Sequence, residues 1–388
     1  MRETTPLKKS YKKYKSTIRE DDSEVLGYYD HEQQYEEYED SFSMSKTTKY
    51  TLFTIIGLIT LVALYFFTVF LPDYFIPEAV ALKPIENISD IPVTLVPSSN
   101  KENSKANDKK MVDRIILIGD IHGHYIEFRK LLTKINYNKH KDHLIVLGDF
   151  ISKGPDSFKT LDYLINNNID CVLGNHEYYI LQNYATFHGL DQPNFSSSES
   201  QPIAVKESFN DDPEFLLAKK LEPRHVKYIN NCSIIKKLGY VPNPKGKKKN
   251  KVGDGADYSQ GIAVHAGIRP DLPLNQQDPI DNLEMRSLIG PFYNETTADP
   301  TIPNSKSWSK IYNSKNGEYP ADYIVYYGHD AGRGLKIKKF TKGLDSRCDR
   351  NGKLSAMVIS KKQVTVDVND YDKKKSFELI EEVFQVNC

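Results

Sequence analysis

The sequence predicts an α/β fold whose leading half is a βαβαβ unit, and three observations carry that reading. Three short apolar runs, Ile115–Ile118, Leu144–Leu147 and Cys171–Leu173, each stop at a glycine. Just beyond those glycines stand residues of metal-binding type: Asp120 and His122, then Asp149, then Asn175 and His176. Between the runs, apolar residues recur at helical spacing: Phe128, Leu131, Leu132 and Ile135, then Phe158, Leu161, Leu164 and Ile165. The runs therefore read as buried strands and the intervals as amphipathic helices. A strand–helix–strand passage makes its two strands parallel. The polar motifs then leave from the carboxyl ends of neighbouring strands, where open α/β sheets bind ligands.

Composition bounds the rest. The 388 residues allow one to three domains, and 39% hydrophobic content supports one sizeable core with polar tails. Lys+Arg and Asp+Glu balance at 52 each, so net charge points to no partner and gives no case for specific nucleic-acid binding. Cys171, Cys232, Cys348 and Cys388 are too few for a disulfide framework and lack zinc-finger spacing. Cys348 and Cys388 can pair in an oxidising lumen, whereas Cys171, in a core strand, reads as a buried thiol.

In chain order, residues 1–49 carry a basic block from Lys8 to Arg19 and an acidic, tyrosine-rich block from Glu20 to Asp40. With so few aliphatics they read as a disordered tail. Tyr50 to Pro72 holds no charge and is long enough to span a bilayer. It is too long, and too far from the N-terminus, for a signal peptide. Lys46 and Lys49 precede it and Asp73 and Glu78 follow it. The positive-inside rule then puts the tail in the cytosol and the remainder outside it, a type II signal anchor. Residues 73–110, with Pro77, Pro84, Pro92, Pro97, Ser98 and Ser99, read as a stalk. The Asn-X-Ser/Thr acceptors Asn87, Asn194, Asn231 and Asn294 all follow the span, as a lumenal domain requires.

The catalytic domain is expected over residues 111–388. After Gly174-Asn-His-Glu177, the stretches 178–188, 216–221 and 226–235 read as helical, and the basic run Lys245–Lys251 as an insertion loop. Gly261–His265 and Tyr323–His329 are strands ending in histidine. The alternating segments from Leu335 onward read as antiparallel hairpins forming a second sheet.

Five strand ends thus carry Asp120 and His122, Asp149, Asn175 and His176, His265, and His329. This mixture of carboxylate, imidazole and amide oxygen suits zinc, manganese or iron better than calcium or magnesium. The residue count suits two ions, which can clamp an in-line displacement and activate a water. One carboxylate must then bridge, and Asp149, on the middle strand, is placed for it.

Gly119-Asp-Ile-His-Gly-His124, Gly148-Asp-Phe-Ile-Ser-Lys-Gly-Pro155, Gly174-Asn-His-Glu177, His265 and Gly328-His329 resemble, in order, the motifs of the calcineurin-like metallophosphoesterases, in the branch around diadenosine tetraphosphatase. The resemblance spans roughly residues 111 to 368. It implies a central two-sheet β-sandwich flanked by helices. It also implies two divalent ions, zinc first, with manganese, cobalt or iron as alternatives. Asp120, His122 and Asp149 would hold one ion; Asp149, Asn175, His265 and His329 would hold the other. Asp149 and His176 would be catalytic, His176 as the general acid, with Lys153, Arg286 and Asn175 on the substrate.

The chain departs from the protein Ser/Thr phosphatases, which have Asp-Arg-Gly where it has Ser152-Lys153-Gly154. The lost aspartate usually orients the histidine of the Gly-Asn-His-Glu motif. Lysine for arginine trades a bidentate fork for a point charge, which asks less geometry of a phosphate. Among relatives with lysine here, a membrane-tethered, lumen-facing chain most resembles the fungal vacuolar metal-dependent endopolyphosphatases. The implied substrate is inorganic polyphosphate or another phosphate polyanion, and the implied site a vacuolar membrane. A lumenal protein Ser/Thr or nucleotide phosphatase, including one acting on diadenosine polyphosphates, is the alternative on the same residues.

Overall fold

A computed structural model describes residues 44–71, 75–96, 109–196, 212–244, 251–252, 256–314, 323–369 and 372–388. The tail expected over residues 1–49 lies almost wholly outside these, and so does most of the Lys245–Lys251 run.

The chain divides after Phe70. Before that point, Ser45 caps a helix by accepting from the Thr48 amide, and the helix runs for 25 residues, Lys46–Phe70, with none of it buried. Its last turn, Phe66–Phe70, relaxes into a π-helix. Thr51, Thr54, Thr60 and Thr68 each turn their hydroxyl onto a carbonyl four residues back, which satisfies the only polar groups on those side chains. By length and composition this helix can cross a membrane.

The second unit is a mixed α/β domain with two large sheets sharing one hydrophobic core. The predicted βαβαβ unit is present. Arg114–Ile118 pairs parallel with Asp142–Val146, which pairs parallel with Asp170–Cys171. The connecting helices are Tyr125–Ile135 and Ser157–Asn166. The first buries Phe128, Leu131, Leu132 and Ile135, the stripe expected from the spacing. The second buries Leu161 and Leu164 and leaves Phe158 and Ile165 at the margin.

In the other sheet the strand order is Ile88–Asp90, Ile235–Pro242, Ala256–Val264, Tyr323–Tyr327, Thr341–Gly343 and Lys336–Ile337. Ala256–Val264, Tyr323–Tyr327 and Thr341–Gly343 are mutually parallel. Their carboxyl ends therefore open on one edge, as do those of the first sheet.

Four expectations are corrected. Residues 80–96 are not stalk. Ile88–Asp90 is an edge strand, and Val93–Thr94 pairs with Lys110–Met111. Ile85, Ile91, Val93 and Leu95 are buried, because alternating aliphatics between prolines can edge a sheet where proline is tolerated. The Lys353–Asn369 and Asp372–Asn387 hairpin does not build the second sheet. It extends the first, antiparallel to Arg114–Ile118. The helix expected over 226–235 spans Pro223–Asn230 and gives way to a strand at Ile235. There Cys232 is tied to Cys171 and Ser233 bridges Val172. Cys171 is thus a disulfide partner rather than a thiol. Cys348–Cys388, the pairing allowed by the sequence, is also present.

Candidate metal centre

Each strand end delivers its ligand-type residues through a backbone bent out of the strand. His122, Asp149, Ser152, Lys153 and His329 all have positive φ, between 48° and 74°, a region that non-glycine residues seldom occupy outside functional sites. Two glycines let the loops meet. A Cβ on Gly328 would lie 2.2 Å from Asp120 Oδ1, and one on Gly174 2.3 Å from the Asp149 nitrogen. These are the contacts behind the Gly-His and Gly-Asn pairs of the motifs.

The loops converge. With one donor atom from each residue, His122, Asp149 and His176 lie within 4.8 Å of one another, and so do Asp149, His265 and His329. Asp149 is common to both groups. Asn175 Oδ1 joins the second, 3.0 Å from His265 Nε2 and 3.1 Å from His329 Nδ1. Asp120 lies alongside, its carboxylate accepting the His329 amide at 3.0 and 3.1 Å. Of the expected substrate-binding residues, Lys153 places its ammonium 3.2 Å from His122 Nε2 and 3.4 Å from Asp349. Arg286 bonds the Ala298 carbonyl and lies near enough to His329 to oppose its protonation.

A common device orients the imidazoles. His265 Nδ1 donates to the Leu147 carbonyl at 2.7 Å, His329 Nε2 to the Glu284 carbonyl at 3.1 Å, and His122 Nδ1 faces the Ile151 carbonyl at 3.4 Å. In each ring the other nitrogen faces the cluster, as metal-bound histidines require. Burial pulls His122 down to about 4, against Asp149. Burial, helped by His265 and Arg286, holds His329 well below its ordinary value. Both rings are therefore neutral, each with one unprotonated nitrogen; that of His122 accepts from the Lys153 ammonium. Burial works against the Asp149 charge, but His265, His176 and His122 outweigh it and hold that carboxyl well below the usual range.

Several residues at the centre had escaped the sequence reading. Glu177, fully buried, accepts the amides of Asp149, Ile151 and Gly174 at 2.7 to 3.2 Å. It braces the Asp149 loop against the Gly174 loop, and burial raises it to about 7. Asp345 follows the Thr341–Gly343 strand and is buried, pushed up to about 6 chiefly by that burial. Its strand is parallel to the one that ends near His329, so strand-end position was the available signal. Glu214 accepts from His176 Nδ1 at 2.6 Å and from the Ser152 hydroxyl at 2.7 Å. It follows a long polar segment, and nothing in its local sequence marks it. Arg333 bonds Asp330, Ser287 and the Arg286 carbonyl.

The donor set fits divalent cations. Burial, Asp345 and Asp149 together push Asp120 well above the carboxylate range. A cation among these carboxylates would relieve that repulsion. Mixed oxygen and imidazole donors suit zinc-like ions.

The profile of the calcineurin-like phosphoesterases matches residues 113–331, more than half of the chain. The chain belongs to that family. It is a metal-dependent hydrolase of phosphoester or phosphoanhydride bonds, and the family works with a dinuclear metal centre. This phosphoesterase is 28% identical to a zinc-dependent endopolyphosphatase of Saccharomyces cerevisiae over 330 residues, 82% of this chain and 88% of the relative. It is 52% identical to a symmetrical bis(5'-nucleosyl)-tetraphosphatase of Wigglesworthia glossinidia brevipalpis over 71 residues, 18% of this chain and 26% of that one. A crystal structure provisionally assigned as a diadenosine tetraphosphatase covers 76% of this chain and 99% of its own, at 21% identity and TM-score 0.49.

Proposed function

We propose that this phosphoesterase cleaves internal phosphoanhydride bonds of inorganic polyphosphate. One observation carries the reading: the likeness to the zinc-dependent endopolyphosphatase extends over 82% of the chain, whereas the tetraphosphatase likenesses span 18% to 23% of it. The cations around the centre support it. Lys153 has no fork geometry to impose on a phosphate, and Arg286 adds positive charge near His329.

Asp120, His122 and Asp149 would hold one divalent ion, and Asp149, Asn175, His265 and His329 the other, zinc in the first instance and manganese, cobalt or iron as alternatives. When bound, the two ions supply a water that is nucleophilic at neutral pH and offset charge on the attacking and leaving oxygens. Asn175, Lys153 and Arg286 bind the flanking phosphates. His176 protonates the leaving oxygen from Nε2, which faces Asp149 Oδ2 at 3.9 Å. Glu177 keeps the Asp149 and Gly174 loops in register throughout.

The apolar helix is the anchor of a single-pass type II protein, with the catalytic domain lumenal and a vacuolar membrane as its location. Both disulfides lie beyond the helix, which supports an oxidising compartment for that side. Asn194, Asn231 and Asn294 are exposed and available as glycan acceptors, whereas Asn87 is half-buried with its Oδ1 shielded.

The test gives the full chain, in detergent and loaded with zinc, cobalt, manganese or magnesium, three substrates: long polyphosphate, a diadenosine tetraphosphate and a phosphopeptide. Polyphosphate is expected to appear on gels as fragments of intermediate length. No shortening with any metal, alongside turnover of the tetraphosphate or the phosphopeptide, transfers the assignment to that alternative.

A further inference from the structure

Asp149 accepts the His176 amide at 3.1 Å, but no aspartate of the strand-end loops holds the ring at Nδ1. Position 152, in the loop that follows Asp149, is serine, and its side chain makes a different contact: its hydroxyl donates to Glu214 Oε1 at 2.7 Å. The same carboxylate oxygen receives His176 Nδ1 at 2.6 Å. Ser152 is fully buried and has a φ of 74°, and its own amide is held by the Ser157 hydroxyl at 3.1 Å, so the hydroxyl is aimed by a fixed loop. The Glu214 side chain is 14% exposed.

Glu214 reaches the ring from a different part of the chain. It lies in the first turn of the Pro213–Ala218 helix, whose start is set by Pro213 and by Asp212 accepting the Glu214 amide at 2.9 Å. That short helix packs on the Asn175–His188 helix, with Phe215 edge-on to Phe187 at 6.2 Å and Lys219 over the Phe215 ring at 4.3 Å. His176 opens the longer helix, so one helix supplies the ring and the other the carboxylate.

We infer that Glu214 is the positioning residue of His176, replacing in space the carboxylate that the Ser152 loop lacks, with Ser152 as its brace. Glu214 keeps the Nδ1 proton in place and turns Nε2 toward the reacting centre. In the chemical step the Nε2 proton passes to the leaving oxygen as the P–O bond breaks. The Nδ1 proton stays on the ring, bonded to Glu214, and water later restores the Nε2 proton. Glu214 touches neither substrate nor metal ligands in this scheme; it acts through His176.

This inference rests on His176 as the general acid and not on the identity of the natural substrate, so the test uses two aryl phosphates. The metal-loaded full chain is assayed with 4-nitrophenyl phosphate, whose leaving group departs without a proton, and with phenyl phosphate, whose leaving group needs one. Glu214→Gln is expected to lower kcat for phenyl phosphate by about 10- to 100-fold. It should leave 4-nitrophenyl phosphate within about 3-fold, with KM, metal content and melting temperature unchanged. Adding Ser152→Asp to Glu214→Gln should restore phenyl phosphate turnover, a rescue that a merely structural role for Glu214 does not allow. Equal losses on both substrates, or failure of the rescue in a folded, metal-replete double variant, overturns the inference. His176→Asn serves as the reference. If it shows no leaving-group dependence, the acid assignment falls and this inference with it; if it does and Glu214→Gln does not, only this inference falls.

Discussion

Asn175 serves both the centre and the start of its helix, with one oxygen within 3.1 Å of two imidazole nitrogens. Asn175→Ala is expected to cut turnover by at least about 100-fold while near-ultraviolet circular dichroism and the unfolding transition stay those of the wild type. Glu177 is a different case. It touches no substrate, yet three backbone amides converge on it. Glu177→Gln turns an amide donor toward those donors, so metal affinity measured by competitive chelation should fall by about 10- to 100-fold. Away from the centre, Asp170 pairs with the buried Lys236 at 2.8 Å and with His143 at 3.3 Å. Burial opposes its charge, but these partners win and hold its carboxyl below the ordinary value. A depressed folded value means the stabilisation is fully present above the unfolded value and is lost as pH falls through the folded one. Asp170→Asn should therefore cost about 3 kcal/mol at pH 7 in denaturant unfolding. The gap to wild type should close as pH drops below about 4.

At the scale of elements, the segment ahead of the first core strand behaves as part of the domain. Val80 N–H donates to the Tyr184 hydroxyl and Lys83 N–H to Asn230, each at 2.7 Å. Ile85, Ile91, Val93 and Leu95 are all at most 6% exposed. Four such side chains contribute about 8 kcal/mol of burial, comparable to the whole stability of a domain. A chain beginning at residue 111 should accordingly lack a cooperative thermal transition, whereas one beginning at residue 75 should keep it. The disulfides staple elements distant in sequence: Cys171–Cys232 closes 61 residues and Cys348–Cys388 closes 40. In the chain-entropy account each is worth about 4 kcal/mol. Reductant should lower the urea midpoint of the wild type, and Cys348→Ser with Cys388→Ser should remove about half of that sensitivity. The second staple also holds the loop of Asp349, which pairs with Lys153.

For the whole molecule, a 25-residue helix with no buried residue, long and apolar enough to cross a membrane, precedes the folded domain. The full chain should enter the detergent phase in phase-partition experiments, and a chain lacking residues 46–70 should stay in the aqueous phase with its aryl phosphatase activity intact. Solvent exposure of the whole helix together with loss of activity in the shortened chain would contradict the anchor assignment.

Short-range signals were readable from the sequence because the physics behind them is local. Period and punctuation marked the strands and helices of the βαβαβ unit, and parallel pairing followed from the crossovers. Asp120, His122, Asp149, Asn175, His176, His265 and His329 stood out as polar residues at apolar strand ends, and the charge-free run from Tyr50 marked a helix long enough for a bilayer. Relations between distant segments carry no local signature. The burial of Ile85, Ile91, Val93 and Leu95 depends on a sheet edge formed about 150 residues later by Ile235–Pro242. The final hairpin joined the first sheet because its pairing partner, Arg114–Ile118, lies some 240 residues earlier. Cys171 and Cys232 meet only once the helices Asn175–His188, Pro213–Ala218 and Pro223–Asn230 have turned the chain back. The carboxylate that grips His176 follows the same rule: position 152 could be seen to lack an aspartate, but only packing of one helix on another could bring Glu214 to the ring.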